Sequence, residues 1–442
     1  MIFAPPIIAL LVIYALFIFL LSKKFTIDFF AEIGTLYMGL FLAYSIIPAF
    51  TFIFTKLNSN DSLALLLPND ADLVKHLWRH VLFAFFFSLG YLLYRGNNNL
   101  PQISILRQIK TSKKMLFFLI FVTLVCIIYL QILSAPVTNY YENFTRYDHL
   151  PWFLKKIAST FIRLKYGFYA IALTILFLNF NKFKFFIIFF IIIICTYEVS
   201  DSLGARIIAL MILLQAICLY SLTVNKISLK RGMIYMLLLA ILFTIIEIGR
   251  EAGFNVKDAQ SNVNNDGYRT ATEFASVFYP GYHLYTERSK SSLPPKQFPM
   301  FFNDFISIFT FGDFDKWNPM AWYNRYYYPD AEVSPFTIGP IAESAIWGGE
   351  IDLAIRAFIN GLFFAFLIRF FIKRADKFWV LVIYTYCFST CILTMKYSVF
   401  YHLTPIVKTI IPTFIITWLF SKLIRRNPIK KDLEVVYLKA NF

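Results

Sequence analysis

The chain has 442 residues, of which 59% are hydrophobic and only 15% charged, and its mean hydropathy is +0.63. An ordinary soluble domain is about half apolar and about a quarter charged, so this composition excludes a soluble globular enzyme, a disordered chain and a fibrous repeat. The formal charge of +16 reads as membrane topology and not as a nucleic-acid surface, because its excess lies on short loops between apolar runs.

A helix needs roughly 20 apolar residues, at about 1.5 Å each, to cross the hydrocarbon core of a bilayer. Eleven stretches have or approach that length: 5–22, 33–55, 77–94, 115–134, 159–179, 185–200, 203–222, 233–249, 351–371, 378–395 and 403–421. The first begins almost at Met1, has no basic segment before it and ends in Lys23 and Lys24, so it reads as a span and not as a cleaved leader. The expected fold is an all-α polytopic membrane protein of about 11 transmembrane helices, with residues 1–442 forming a single integral membrane domain.

Lysine and arginine set the orientation. With the N-terminus outside, the inner segments are 23–32, 95–114, 180–184, 223–232, 369–377 and 422–442. They hold 22 of the 42 basic residues, but only Asp28, Glu32, Asp376, Asp432 and Glu434 of the 26 acids. The notable outer segments are then three, at 56–76, 135–158 and 250–350. The last is too long for a connector and too rich in Phe, Tyr and Trp for disorder, so it is expected to carry short helices and part of the active site.

Cys126, Cys195, Cys218, Cys387 and Cys391 lie in apolar runs without zinc spacing. No phosphate-binding loop or dinucleotide glycine motif is present. No cofactor, metal or nucleic-acid partner is expected.

Charges near membrane depth are costly and tend to mark function. Glu198, Asp201 and Arg206 fall in EVSDSLGAR between two spans. Arg206 there is either an interfacial residue pairing with Asp201 or snorkelling, or part of an anion site. Glu247, Arg250 and Glu251 end a later span, and Arg269 and Glu273 follow at i, i+4 spacing, which puts them on one helix face. Arginine suits a pyrophosphate because its planar fork binds two oxygens at once. A nearby carboxylate can orient or deprotonate a sugar hydroxyl.

Further along, WNPMAWYNRYYY places Trp322, Tyr323 and Tyr326 around Arg325, which fits either an interfacial aromatic belt or a glycan-contact surface. In SPFTIGPIAESAIWGGEID, Pro340 is expected to start a short helix with Glu343 in its first turn, and Gly348 and Gly349 to break it before the next span. His283 and His402, assigned to the outer side, are candidate bases, and Lys396 at the outer end of the tenth span can add positive charge to an anion site.

The order of these motifs resembles the Wzy-type O-antigen and oligosaccharide repeat-unit polymerases. The resemblance rests on Leu203-Gly204-Ala205-Arg206, Gly249-Arg250, Tyr268-Arg269-Thr270, and Ser334-Pro335…Ile338-Gly339…Glu343 with its Gly348-Gly349 exit. It covers about residues 200–400; the first 200 match only as hydrophobic spans. Trp347-Gly348-Gly349 departs from the commoner aromatic-Gly ending, and Lys396 stands where an arginine is often seen.

The resemblance implies a metal-independent bacterial inner-membrane glycosyltransferase of GT-C-like architecture with its active site facing the periplasm. Its substrates would be undecaprenyl-pyrophosphate-linked oligosaccharides, its surroundings membrane lipid, and a polysaccharide chain-length regulator is a candidate partner. Arg206, Arg250, Arg269 and Lys396 would bind the pyrophosphate, and Glu343 or Glu273 would serve the acceptor. The nearest alternative is an O-antigen ligase, for which an outer histidine such as His283 keeps a place. A lipid-linked oligosaccharide flippase or transporter is disfavoured by the scarcity of mid-span charge.

Overall fold

The computed structural model describes residues 3–24, 28–57, 70–101, 106, 109, 113–136, 146–201, 206–227, 266–295, 319–327, 329, 337–397 and 403–426. Every regular element among them is helical. Eight of these helices are long and apolar enough to cross a membrane, and the apolar segments Ile207–Thr223 and Phe378–Thr390 are shorter. The chain is thus a multi-pass membrane protein, all-helical among the described residues. The expected span at 233–249 lies outside the described residues.

Large apolar side chains on these helices point outward, with Phe185 84%, Ile351 75% and Ile132 74% exposed. In water such surfaces would be a defect. In a bilayer they are the expected lipid-facing stripe, since lipid tails solvate them at no cost.

The chain forms two compact units. The first comprises residues 1–100, 228–372 and 390–402. Its helices are α1 (Ala4–Lys24), α2 (Ile33–Leu57), α3 (Asp70–Tyr94), α8 (Asp266–Ser289), α9 (Pro319–Tyr327), α10 (Pro340–Ile346), α11 (Glu350–Lys373) and α13 (Leu393–Lys396). The second comprises 101–227, 373–389 and 403–442. It holds α4 (Lys113–Leu133), α5 (Trp152–Leu178), α6 (Phe180–Asp201), α7 (Arg206–Thr223), nearly all of α12 (Phe378–Thr390), α14 (Leu403–Pro405), a π-helical turn at Ile406–Ile410, and α15 (Ile411–Arg426).

In the first unit, helices α3 and α11 meet backbone to backbone. A side chain at Gly361 would strike the Phe87 carbonyl, and one at Gly90 would strike that of Phe358. Small residues at a membrane helix contact allow this approach, where packing rather than water expulsion supplies the attraction. Stacked rings fill the space beside it: Tyr37 lies on Phe87 at 4.6 Å, and Phe41 on Phe83 at 4.7 Å.

The start of α2 is tied to the end of α3 by a buried ion pair. Arg95 donates from Nε to Glu32 Oε1 at 2.7 Å and from Nη2 to Oε2 at 3.0 Å. Tyr91 donates its hydroxyl to the same carboxylate. The acid sits at a helix N-terminus and the base at a C-terminus, so both helix dipoles favour the pair.

Helix α3 starts at Asp70, seven residues before the apolar run read from hydropathy. Its opening turns carry Asp70, Asp72, Lys75 and Arg79, and Arg79 is anchored on Glu350 at 3.1 Å.

Candidate functional site

The segment 337–352 folds as its residues dictate. Gly339 is extended and caps α10, Pro340 occupies the first turn, and Glu343 closes that turn by donating its N–H to the Gly339 carbonyl at 3.0 Å. A following helical turn is then stopped. Gly349 adopts φ +69°, a left-handed conformation that glycine accepts without strain, and its N–H returns to the Ser344 carbonyl at 2.8 Å. Arg288 of α8 caps the exposed carbonyls of Ala345 and Trp347 at 3.0 and 3.1 Å. The expected short helix, with its proline start and glycine stop, is what forms.

Glu343 is 1% exposed and faces Arg356, on the second turn of α11, with Nη1–Oε2 at 2.7 Å. Asp352, one turn earlier on the same helix, accepts from Arg356 Nε at 2.5 Å. One guanidinium therefore serves two carboxylates inside the protein, a triad of net charge −1. Arg356 is absent from the candidates read from sequence, although the i, i+4 spacing of Asp352 and Arg356 in an apolar run is a usable signal.

The residues just before Glu343 line a cavity. Gly339, Pro340, Ile341 and Ala342 form one side, Phe278 and Gly281 of α8 another, Tyr37, Phe41 and Tyr44 of α2 a third, and His76 and His80 of α3 a fourth, with Met395 of α13 closing it. Its volume of about 30 Å³ suits a water or a single inserted hydroxyl.

Two imidazoles face this space in single file. Ser45 Oγ lies 2.7 Å from His80 Nδ1, and His80 Nε2 lies 3.3 Å from His76 Nε2. Ser45 Oγ also donates to the Phe41 carbonyl at 2.7 Å, so in its link to His80 it accepts from Nδ1–H, which leaves His80 Nε2 to accept from His76 Nε2–H. His76 Nδ1 makes no hydrogen bond of ordinary geometry, and the Phe278 backbone is the neighbouring polar group acting on that ring. His76 and His80 are absent from the candidates read from sequence, although their i, i+4 spacing in HLWRH is a usable signal; Ser45 offers none.

The other sequence candidates fall in different places. Arg269 and Glu273 are on α8, as their spacing required, and Arg206 is the first residue of α7; the positions of these three side chains are outside the described set. Arg250 and His402 also lie outside the described residues. Asp201 is held by Arg146, Nη1–Oδ2 3.2 Å, and by Gln131. Glu198 is buried against Lys165 at 2.7 Å and accepts from Tyr169 at 2.9 Å. Lys396 ends α13 half-buried, next to the cavity residue Met395.

Part of the aromatic stretch forms helix α9, and only some of its residues face outward. Trp322 is buried and donates Nε1 to the Pro295 carbonyl at 3.2 Å. Tyr323 is fully buried and its hydroxyl meets His283 Nδ1 at 2.9 Å. Of the four residues expected to contact glycan, Trp322 and Tyr323 are thus buried, and Arg325 and Tyr326 are exposed. Amphipathic helix packing is the reason, since residues 322 and 323 share the face turned toward α8.

His283 also stacks on Tyr279 and meets Tyr327 edge-on. Burial lowers its pKa, Glu287 opposes that shift, and Lys290 adds to it. Burial and then Glu287 push the Tyr327 hydroxyl up to about 12. Both groups are therefore neutral at pH 7.

Among the described residues no group of three His, Cys, Asp or Glu has the placement to hold a metal ion. Compared with known proteins, the chain matches no family model, no curated protein and no solved structure.

Proposed function

We propose that the chain is a bacterial inner-membrane polysaccharide polymerase. It would transfer a growing glycan from undecaprenyl pyrophosphate to the non-reducing end of a new lipid-linked repeat unit, at a site facing the periplasm. The observation that carries this reading is the α10 element. The segment on which the polymerase resemblance chiefly rests builds a buried, arginine-held carboxylate at Glu343, and its neighbours line a mainly apolar cavity that His76 and His80 face.

Such a reaction needs a carboxylate of fixed orientation and a hydrogen-bonding path for the proton of the attacking hydroxyl. Glu343 supplies the first, because Arg356 removes its freedom to rotate. The His76–His80–Ser45 file supplies a path of the second kind. The positive charge for the leaving pyrophosphate is assigned to Arg206, Arg250, Arg269 and Lys396, whose sequence positions support that role.

Deleting the reading frame and resolving the surface glycan on a gel tests this directly. Loss of the long ladder, with one repeat still on its lipid anchor, is the expected outcome. Loss of every repeat would point to a ligase or flippase and end the polymerase reading.

A further inference from the structure

The hydrogen bonds that end at His76 run in one direction. Ser45 spends its hydroxyl proton on the Phe41 carbonyl, so it accepts from His80 Nδ1. His80 Nε2 is then the acceptor of that ring and takes the Nε2 proton of His76. A neutral imidazole protonated on Nε2 carries its lone pair on Nδ1. His76 is therefore held in the tautomer whose Nδ1 can accept a proton. That atom is enclosed and makes no hydrogen bond of ordinary geometry. Buried acceptors are nearly always met by a donor, so an unmet one points to a ligand.

His76 is fully buried and lines the cavity of about 30 Å³. It lies six residues after Asp70, about 9 Å along α3 from the end that carries Asp70, Asp72 and Lys75. That is within two turns of the charged end of the span, near the depth at which a helix meets the headgroup layer. Gly281 lets α8 close on the ring, since a side chain there would come within 2.9 Å of His76 Cε1. The space admits one hydroxyl and not a sugar ring. Its α10 wall leads directly to Glu343, whose Oε2 is committed to Arg356 at 2.7 Å. A carboxylate so paired favours its charged form and is a poor destination for a proton.

We infer that His76 is the catalytic base of the transfer, receiving the proton of the attacking acceptor hydroxyl on Nδ1, with His80 and Ser45 as positioning residues. This role rests on the polymerase reading. As the hydroxyl oxygen bonds the anomeric carbon of the donor glycan, its proton passes to Nδ1. The bond from that carbon to the undecaprenyl pyrophosphate oxygen breaks, and the electron pair leaves with the pyrophosphate. His76 remains as an imidazolium until it returns the proton to water. His80 accepts from Nε2–H throughout and so fixes the ring, as the third group does for histidine bases in general.

The test is the initial rate of polymer formation by purified full-length protein on lipid-linked repeat units, measured across pH. Around His76 the titratable and charged groups are His80 and Arg79 on α3, Tyr37 and Tyr44 on α2, and Tyr282 on α8; the α10 wall has none. The native rate should fall on the acid side, where Nδ1 is already protonated. His76→Gln should lower kcat by about 10²–10⁴-fold and abolish that acid fall. Ser45→Ala should lower kcat less and keep the acid fall, and Ser45→Thr, which retains the hydroxyl, should restore the rate. A folded His76→Gln protein with native kcat, or with the native pH profile, overturns the assignment. Should His76→Gln not yield folded protein, Ser45→Ala at the native rate overturns it instead. Native protein that makes no polymer ends the polymerase reading and this role with it, whereas an active native protein with an unaffected variant ends this role alone.

Discussion

Replacing Arg356 with Met removes the cation that holds Glu343 and Asp352 together. The two carboxylates then respond differently. Asp352 is 16% exposed and regains water, whereas Glu343 is 1% exposed and is left as an uncompensated buried charge. Breaking a buried pair from one side costs about 3–5 kcal/mol, and unit charges about 4 Å apart attract by about 4 kcal/mol at the effective dielectric near a protein surface. Glu343→Gln is milder, because Arg356 keeps Asp352, and should cost about 1–3 kcal/mol. The double variant removes both charges and should recover most of the Arg356→Met loss. Denaturant unfolding in detergent, followed by tryptophan fluorescence, measures all three. If Arg356→Met unfolds within about 0.5 kcal/mol of the native protein, as a surface substitution would, the pair is hydrated and the reasoning fails. The same set separates structure from chemistry. A stable Glu343→Gln protein that no longer makes polymer places the carboxylate in the reaction, and one with full polymer length removes it.

Other outcomes follow from the same contacts. Lys165→Met strands Glu198 in the second unit and should cost about 3–5 kcal/mol, largely recovered in Lys165→Met/Glu198→Gln; thermal unfolding decides. Gly361→Val drives a side chain into the Phe87 carbonyl and should cost about 1–3 kcal/mol, read in the same assay, whereas Gly361→Ala should lose less. His283 titrates below its ordinary value in the folded protein, so as pH falls through about 6.5 the unfolded chain takes up the proton first and stability declines. Above that range the contribution is fully present. Hydrogen exchange over 278–290 should show protection falling from neutral to mildly acidic pH, and His283→Phe should flatten that dependence.

Much of the fold was written in hydropathy, because a lipid-facing helix must be apolar over its whole length whatever its partners. Ten of the eleven expected stretches coincide with described helical segments. Helix α3 began earlier than hydropathy indicated, since its first turns hold charges that neighbours neutralise; Arg79 finds Glu350 at a separation of 271 residues. The α10 helix was legible from Pro340, Glu343 and the glycine pair, because start and stop signals are local. Arg356 was not, because its meaning comes from Glu343, which lies on another helix. Tyr323 and His283 show the same limit. Each was singled out for its side chain, but that one packs against the other followed only from the approach of α9 to α8.

The Glu32–Arg95 bridge bears on how the chain enters the bilayer. Its members are 63 residues apart, so α2 emerges from the ribosome with a bare carboxylate at its threshold, and the counter-ion arrives only after α3 has been synthesised. Until then Glu32 must stay hydrated at the membrane boundary. Arg95, once neutralised, no longer counts as a full positive anchor for its loop. Insertion of the α2–α3 hairpin thus becomes a paired event, in which the second helix releases the first to settle at its final depth.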